Sequence, residues 1–217
     1  MKLVSFHLMP YRPLDLEEAA KHRSPWVVLP NHMYDPVLGA EEYDRHIDAL
    51  VYAEELGFDA IGVNEHHQTA YGLMPAPNLI ASALIQRTKR VQIAILGRAL
   101  PLVNNPIYIA EEFAMLDNLS KGRIIAGFVR GIGSEYHSSG TNPYFSHERF
   151  HEAHDLIIRA WTEPGPSPST ATISACATSI CGRGPTRPRI RRCGSHRRDR
   201  ARRWPGPPIR SASTRSW

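Results

Sequence analysis

The chain has 217 residues and a formal net charge of +5, but the charge is divided unevenly along it. Residues 167–217 hold 12 of the 26 basic residues and one of the 21 acidic residues, so this segment carries +11, whereas residues 1–166, with 14 basic and 20 acidic residues, carry −6. An acidic body of this kind argues against a specific nucleic-acid partner and against an anionic membrane surface.

The first predicted element is a strand over residues 2–9, because this short and mostly apolar run ends at Pro10 and is typical of a strand buried on both faces. A proline-rich stretch follows, with a short helix predicted over residues 15–22. A longer helix is predicted next, and Gly57 is expected to end it. Its apolar residues, at helical spacing, are Tyr43, Ile47, Leu50, Val51 and Leu56.

Strands and helices then alternate. Strands are predicted over residues 60–63, 91–96 and 123–128, and helices over residues 77–87 and 106–118. Asn105 is expected to cap the second of these helices, with Pro106 at its first position. Ser146 is expected to cap a last helix. The apolar face of that helix consists of Phe150, Ala153, Leu156, Ile157 and Trp161. About four βα units predict an α/β fold with a parallel sheet, either doubly wound or part of a (β/α)8 barrel.

The turn after the first strand argues against a nucleotide-binding Rossmann unit. Such a unit needs G-x-G-x-x-G at this place, whereas residues 9–12 are Met-Pro-Tyr-Arg. The sequence Gly131-Ile132-Gly133 follows the fourth strand but lacks the third glycine, so it predicts a tight turn and no more.

The run Asn64-Glu65-His66-His67-Gln68 directly follows the strand predicted over residues 60–63. Chemistry in parallel α/β proteins concentrates at the carboxyl ends of strands, so two imidazoles beside a carboxylate predict groups that transfer protons near neutral pH. The same side chains are also potential metal ligands, which keeps a metal-dependent barrel hydrolase as an alternative. Adjacent side chains on a strand end point in opposite directions, and neither a His-x-His nor a helical H-E-x-x-H motif includes these two histidines, so no metal site is predicted from them.

Several short motifs occur in a fixed order through the four βα units. They are Asn64-Glu65-His66-His67, Tyr71-Gly72-Leu73-Met74-Pro75, Leu100-Pro101, Ala110-Glu111-Glu112, Leu116-Asp117, Leu119-Ser120-Lys121-Gly122-Arg123 and Arg130-Gly131. Together they resemble the luciferase-like flavin-dependent monooxygenases, the family of bacterial luciferase, over about residues 2–166. The resemblance implies that residues 1–166 form the N-terminal half of a (β/α)8 barrel. It also implies reduced FMN as cofactor, or in some branches the deazaflavin F420.

The resemblance assigns roles to individual residues. His66 matches the catalytic histidine, which assists reaction at the flavin C4a position, and its neighbour Glu65 is expected to fix the tautomer of the imidazole. Leu96 and Gly97 match a non-prolyl cis peptide under the isoalloxazine ring, where glycine would permit close approach; the alternative is an ordinary strand end. Arg130 matches an arginine near the flavin phosphate, and the alternative is a surface salt bridge.

The resemblance also implies the reaction and its partners. The expected enzyme takes reduced FMN from a separate flavin reductase and uses O2 to oxygenate a small organic substrate, with a homo-oligomer expected for the full-length form. An F420-dependent oxidoreductase of the same superfamily is the other cofactor alternative. The sequence shows no signal-peptide pattern and no run of about 18 apolar residues, so we expect a cytoplasmic protein without a membrane partner.

Residues 167–217 differ from the body in composition, with Arg, Pro, Ser, Thr and Ala dominant and no periodic apolar pattern. The three cysteines, Cys176, Cys181 and Cys193, lie here without C-x-x-C spacing, so neither a zinc site nor a disulfide framework is predicted. Adding one base before the codon of Ser167 permits a different translation, Phe-Pro-Phe-Asn-Gly-Asn-His-Phe-Arg-Leu-Arg-Tyr-Val-Asn-Met-Trp-Pro-Arg-Pro, which is the continuation that the resemblance implies. We therefore interpret residues 167–217 as a disordered tail translated out of frame, and we expect a truncated chain of doubtful activity.

Overall fold

The computed structural model describes residues 1–24 and 26–164, and the backbone of residues 167–168 and 178–179. Its main sheet has four parallel strands in the order β1-β2-β3-β4. These strands are β1 (Val4–Phe6), β2 (Ala60–Val63), β3 (Gln92–Ala99) and β4 (Ile124–Val129). Parallel neighbours that follow one another in the chain require crossover connections, which the helices provide.

The strand order distinguishes between the two architectures that the sequence permits, a doubly wound sheet and part of a (β/α)8 barrel. A doubly wound sheet reverses its strand order at a switch point, whereas a (β/α)8 barrel adds each new strand beside the previous one. The order here does not reverse among the described strands, and each strand is in register with its predecessor, as in the pairings Val4–Ala60, Ala60–Gln92 and Ile93–Ile124. The fold is therefore the predicted partial (β/α)8 barrel, about its first four βα units.

Six α-helices accompany the strands in the described part of the chain. They are α1 (Leu16–Ala19), α2 (Pro36–Glu55), α3 (Pro77–Arg87), α4 (Pro106–Ser120), α5 (Gly133–Ser139) and α6 (Ser146–Thr162). Helix α3 has the predicted bounds, and the Asn105 side chain caps α4 by accepting a hydrogen bond from the Ile107 amide at 3.1 Å. Gly57 follows the end of α2 with a φ of 83°, the left-handed conformation expected of a glycine at that place.

Strand β1 corrects one prediction. It is three residues long instead of eight, and it is not buried on both faces, because Val4 and Phe6 are 48% and 49% exposed. The cause is its position, since β1 pairs only with β2 among the described strands and lies at an edge of the sheet. Strand β3 differs in the other direction and continues to Ala99, three residues beyond the predicted end.

Two predictions after β4 also need correction. Ser146 does not cap α6, because it is itself the first helical residue and is buried, while the preceding Phe145 occupies the cap position. Helix α5 was not predicted. Gly131 makes the expected turn with a φ of 92°, but the chain then enters a helix within two residues.

The core lies between the sheet and the helices packed on it. Its largest fully buried side chains include Leu84 of α3, Ile93 and Ile95 of β3, Phe113 of α4 and Ile157 of α6. Trp161 joins α6 to α4 by donating a hydrogen bond from its indole nitrogen to the Ala110 carbonyl at 2.9 Å. This packing fixes the outer helices against the strands and hence the loops at the strand ends.

Two further strands are described beyond α6, where residues 167–168 pair antiparallel with residues 178–179. The other residues of the segment 167–217 lie outside the described part, so the disorder and reading-frame interpretations stay predictions. No helix among the described residues is long and apolar enough to cross a membrane.

An ion pair fixes α2 to the segment after β1. The Arg12 guanidinium donates two hydrogen bonds to the buried Glu42 carboxylate, at 2.8 and 2.9 Å. The hydrogen bonds from Arg12 lower the pKa of Glu42 from its usual value of 4.5 to about 2. Between these values the unfolded chain binds more protons at this site than the folded chain, so the stabilisation is complete above about pH 5 and is lost as the pH falls towards 2.

We therefore expect Arg12→Met to lower the free energy of unfolding at pH 6, and to lower it less at pH 3, where part of the carboxylate contribution is already lost. Urea denaturation at the two pH values measures the difference. Arg159→Met, which removes an exposed pair with Glu163, is the control and should change stability little at either pH. Equal losses at pH 6 and pH 3 for Arg12→Met would show that the ion pair does not carry this pH dependence.

Candidate active site

The carboxyl ends of β2, β3 and β4 meet at one edge of the sheet, because parallel neighbouring strands end on the same side. Residues 64–67 follow β2, residues 97–99 complete β3, and residues 130–135 follow β4 into α5. This edge therefore brings together the residues that the sequence singles out and others that it does not.

His66 is paired with Glu135. The Nδ1 atom of His66 lies 2.9 Å from Oε1 of Glu135, whose side chain is buried, and the other oxygen of Glu135 accepts a hydrogen bond from the Ile132 amide at 2.9 Å. Both carboxylate oxygens are thus occupied, which fixes the position of the acid. An ionised carboxylate can only accept, so it holds the neutral imidazole with its proton on Nδ1 and leaves the lone pair on Nε2.

Glu65 has a different partner from the predicted one. Its Oε1 lies 2.8 Å from Nε2 of His67, and its Oε2 accepts a hydrogen bond from the Ala99 amide at 3.1 Å. The same oxygen forms an ion pair with Nη1 of Arg98, also at 3.1 Å. The expectation that Glu65 fixes the tautomer of His66 is wrong. Neighbouring side chains in an extended segment point to opposite sides, so Glu65 is directed towards the end of β3.

The loop after β2 holds the His66 ring from the other side. The Tyr71 ring meets the His66 ring edge-on at a centroid distance of 5.1 Å, and the His66 amide donates to the Met74 carbonyl at 3.2 Å. A Cβ at Gly72 would lie 3.2 Å from Cδ2 of His66 and 3.0 Å from the Leu8 carbonyl oxygen. Glycine at this position therefore permits the loop to close tightly over the ring.

The Leu96–Gly97 peptide bond is cis. A Cβ at Gly97 would lie 2.5 Å from the Gly127 carbonyl oxygen, and one at Gly127 would lie 2.5 Å from the Ile95 carbonyl oxygen. Two glycines therefore face each other across β3 and β4 and let the strands approach closely, where their register shifts between Ile95 and Arg98. This is a reason for glycine at residue 97 that the sequence did not suggest.

Arg130 is exposed at the end of β4, and its guanidinium forms no salt bridge with an acid in the described part of the chain. Its backbone is fixed, since the Tyr136 hydroxyl donates to the Arg130 carbonyl at 2.6 Å. The pKa of His151 is lowered by partial desolvation of its otherwise exposed ring and by the charge of His147, and the positive charge of Arg130 acts in the same direction. A guanidinium that forms no salt bridge with the described residues can receive an anionic ligand at this edge.

Two buried polar atoms at the same edge lack a hydrogen-bond partner among the described residues, Oδ1 of Asn64 and Nε of Arg98. An unsatisfied buried donor or acceptor costs about 1–3 kcal/mol, so both atoms favour a bound polar molecule. One accepts and the other donates, as the mixed donors and acceptors of a flavin ring require. Together with the exposed Arg130, they make this edge compatible with FMN.

A cavity of about 400 Å³ lies beside this edge, between the segment before α2 and the loop after β2. Its lining is mixed, somewhat more apolar than polar, and comprises Tyr11, Leu14, Val27, Leu29, Pro30, Asn31, Met33, Tyr34, Gln68, Thr69, Ala70 and Leu73. Residues 68–70 directly follow the His66-His67 pair, which connects the cavity to the loop that carries the imidazoles.

The described residues contain no group of three or more histidine, cysteine, aspartate or glutamate side chains placed to hold a metal ion. His66 and His67 are each hydrogen-bonded to a different carboxylate, at 2.9 and 2.8 Å. The two imidazoles therefore do not converge with Glu65 on a common point, as the metal-hydrolase alternative requires.

Comparison with known proteins shows the family. The sequence model of the luciferase-like monooxygenases matches residues 23–216. The chain belongs to this family. It is 33% identical over 121 residues to the alkanal monooxygenase alpha chain of Photobacterium leiognathi, an alignment that covers 55% of this chain and 34% of that one.

Solved structures of monooxygenases share the fold. The monooxygenase RslO1 from Streptomyces bottropensis superimposes with a TM-score of 0.69 and 26% identity over 88% of this chain and 52% of that chain. The oxygenating constituent of 3,6-diketocamphane monooxygenase from Pseudomonas putida, solved with FMN, gives a TM-score of 0.63 and 18% identity over 83% of this chain and 44% of that one. The chain thus spans about a third of the curated relative's length and about half of each solved structure's.

Proposed function

We propose that the chain is the N-terminal part of a flavin-dependent monooxygenase that uses reduced FMN and O2 to oxygenate a small organic molecule. The observation that carries this proposal is the His66–Glu135 pair, which lies at the carboxyl edge of the sheet with the Leu96–Gly97 cis peptide and the exposed Arg130. Membership in the family supports the reaction class. Reduced FMN would come from a separate flavin reductase, and the full-length form is expected to be a homo-oligomer.

Three side chains and one backbone segment of this chain would hold the cofactor. Arg130 would bind the phosphate, because a guanidinium fork matches phosphate oxygens. Asn64 and Arg98 would supply a hydrogen-bond acceptor and donor to the ring system, since each has a buried polar atom without a partner in the described residues. The backbone at Leu96 and Gly97 would lie beneath the ring. When bound, the reduced flavin supplies the two electrons that oxygenation with O2 requires.

His66 would transfer protons during the reaction. Its Nε2 atom, unprotonated when Glu135 holds the proton on Nδ1, can accept a proton from a reacting group and return it later. The buried acid does not take the proton itself; it orients the ring and stabilises the imidazolium. Glu65 would act further from the reacting atoms, by fixing His67 and the end of β3.

The cavity beside residues 68–70 would hold the organic substrate. Its volume of about 400 Å³ is in the range of small-molecule sites, and its lining, which combines apolar side chains with several polar groups, suits a mainly hydrophobic molecule that carries a polar function. The carboxamides of Asn31 and Gln68 and the hydroxyl of Thr69, which lie in this lining, would orient a single polar function of the substrate. The expected substrate is therefore an apolar molecule with one oxidisable group.

The test of this function uses the protein translated from a gene whose frame is restored by one base before codon 167. Anaerobic titration with reduced FMN and with reduced F420 distinguishes the two cofactors, and O2 uptake in the presence of an added flavin reductase measures the reaction. We expect tight binding of FMN and O2 uptake that depends on it. Preference for F420, or a requirement for a divalent metal without any response to reduced flavin, would overturn the FMN assignment.

A gene in which no single-base change near codon 167 opens a longer frame would refute the reading-frame interpretation.

Glu135 offers a test that does not depend on turnover. We expect Glu135→Gln to release the His66 tautomer, because the amide can donate as well as accept, and to lower oxygenation by about 10-fold or more, as when a carboxylate that orients a catalytic imidazole is removed. The ¹⁵N chemical shifts of the ring nitrogens, measured in the 217-residue chain, report the tautomer directly. Glu148→Gln, at an exposed position of α6, is the control and should leave the His66 signals in place. Unchanged His66 signals in Glu135→Gln would remove Glu135 from this role.

A further inference from the structure

Helix α6 carries two exposed histidines, His147 and His151, one turn apart on the same face. Their Nε2 atoms lie 3.3 Å from each other, and their ring centroids are 4.5 Å apart. Neither side chain takes part in the flavin chemistry proposed above. The two imidazoles nevertheless direct the same ring nitrogen, Nε2, towards each other, although exposed side chains are free to point apart.

The distance between the two nitrogens is informative. An N–H···O hydrogen bond usually spans about 2.7–3.2 Å, so a nitrogen-to-nitrogen distance of 3.3 Å is at the long end for a hydrogen bond. Two imidazole ligands of a tetrahedral Zn²⁺ ion, with Zn–N bonds of about 2.0–2.1 Å, have their nitrogens about 3.3–3.4 Å apart. The observed separation therefore matches the edge of a tetrahedral metal site without any movement of the rings.

We propose that His147 and His151 form a bidentate surface site for a divalent transition-metal ion, with Zn²⁺ as the representative ion. Imidazole nitrogens suit zinc, copper and nickel better than they suit magnesium or calcium. The described residues place no third histidine, cysteine, aspartate or glutamate in such a cluster, so water or another ligand completes the coordination. This site differs from the His66–His67 region, where each imidazole is already held by a carboxylate.

The charges around His151 are of both signs. Asp155, one turn further along α6, contributes a negative charge, whereas Arg130, His147 and His154 contribute in the opposite direction. The site lies at the beginning of α6, on the surface, so that a metal ion can enter without displacing any core side chain. Its open coordination positions face solvent, and the expected affinity is that of a two-ligand site, which is weaker than that of a closed structural zinc site.

The experiment is calorimetric titration of the 217-residue chain with Zn²⁺ in a non-coordinating buffer. The thiols of Cys176, Cys181 and Cys193 are first alkylated, so that they do not bind the metal. We expect one equivalent to bind to the wild type, and His147→Asn and His151→Asn each to weaken that binding by about 10-fold or more, since the loss of outer-shell partners alone costs that much. His32→Asn, at another exposed histidine, is the matched control and should bind as the wild type does.

A second measurement follows the wild type itself. On addition of Zn²⁺, the ring ¹⁵N resonances of His147 and His151 should shift at Nε2, whereas those of His66 and His67 should not. Equal affinity in all variants, or unmoved His147 and His151 resonances at saturating Zn²⁺, would overturn the proposal. Both measurements are made without FMN. A negative result for zinc binding therefore does not bear on the proposed monooxygenase function, and a negative result for FMN binding does not bear on the zinc site.

Discussion

Replacing His66 with alanine is expected to lower substrate oxygenation by the frame-restored protein by about 10²- to 10⁴-fold, the usual contribution of a general acid or base. The fold should persist, because the side chain is held by Glu135 and by the edge of Tyr71 and is not part of the apolar core. FMN affinity should change little, since the phosphate and ring contacts proposed above come from other residues. Wasteful release of hydrogen peroxide should rise as oxygenation falls.

Product formation, O2 uptake and hydrogen peroxide release, measured together, distinguish this outcome from a general loss of activity. His67→Ala is the matched control, because His67 is the adjacent imidazole but is bound to Glu65. Its effect should be smaller. Oxygenation within about twofold of the wild type in His66→Ala would mean that the imidazole does not take part in the chemistry.

Arg130→Ala is expected to weaken FMN binding by about 10- to 100-fold, because a hydrogen bond to a charged group contributes about 1.5–3 kcal/mol. Fluorescence titration of the frame-restored protein with FMN measures the effect. The stability of the chain should not change, since the guanidinium has no salt bridge to lose in the described part of the structure.

Arg87→Ala provides the comparison for Arg130→Ala. Arg87 is also partly exposed, but it lies at the end of α3 and therefore near the start of β3, at the opposite edge of the sheet from the candidate site. FMN affinity should be unaffected by this change. Riboflavin, which lacks the phosphate, should bind equally to the wild type and to Arg130→Ala. Unchanged FMN affinity in Arg130→Ala would remove this residue from the phosphate site.

The elements that could be predicted from the sequence are those whose ends are set by local signals. Helix α3 starts at Pro77, α4 starts with Asn105 and Pro106, and α2 stops before Gly57. Pro77, Pro106 and Gly57 act through their own backbone conformation, and Asn105 accepts a hydrogen bond from a free amide at the start of its own helix. No distant contact is therefore needed to predict these helix ends. The parallel order of the strands followed from their alternation with these helices.

The predictions that failed depend on neighbours that the local sequence does not specify. The burial of β1 depends on how many strands flank it, which a run of apolar residues does not reveal. Helix α5 was missed because its seven residues, which include Gly133 and several serines, have low helix propensity. Without α5, Glu135 could not be assigned to the first turn of a helix at the carboxyl edge, so Glu65 was the nearest available acid.

The His66–Glu135 pair also has a consequence for the order in which the chain folds. The two residues are 69 positions apart, and strands β3 and β4 and helices α3 and α4 lie between them in the sequence. A contact of such separation closes a large loop, so it forms late and depends on elements that have already packed. The imidazole therefore acquires its fixed tautomer only when β2, β3 and β4 have assembled. A nascent chain that has not yet reached residue 135 contains the Glu-His-His sequence but has not acquired its paired geometry.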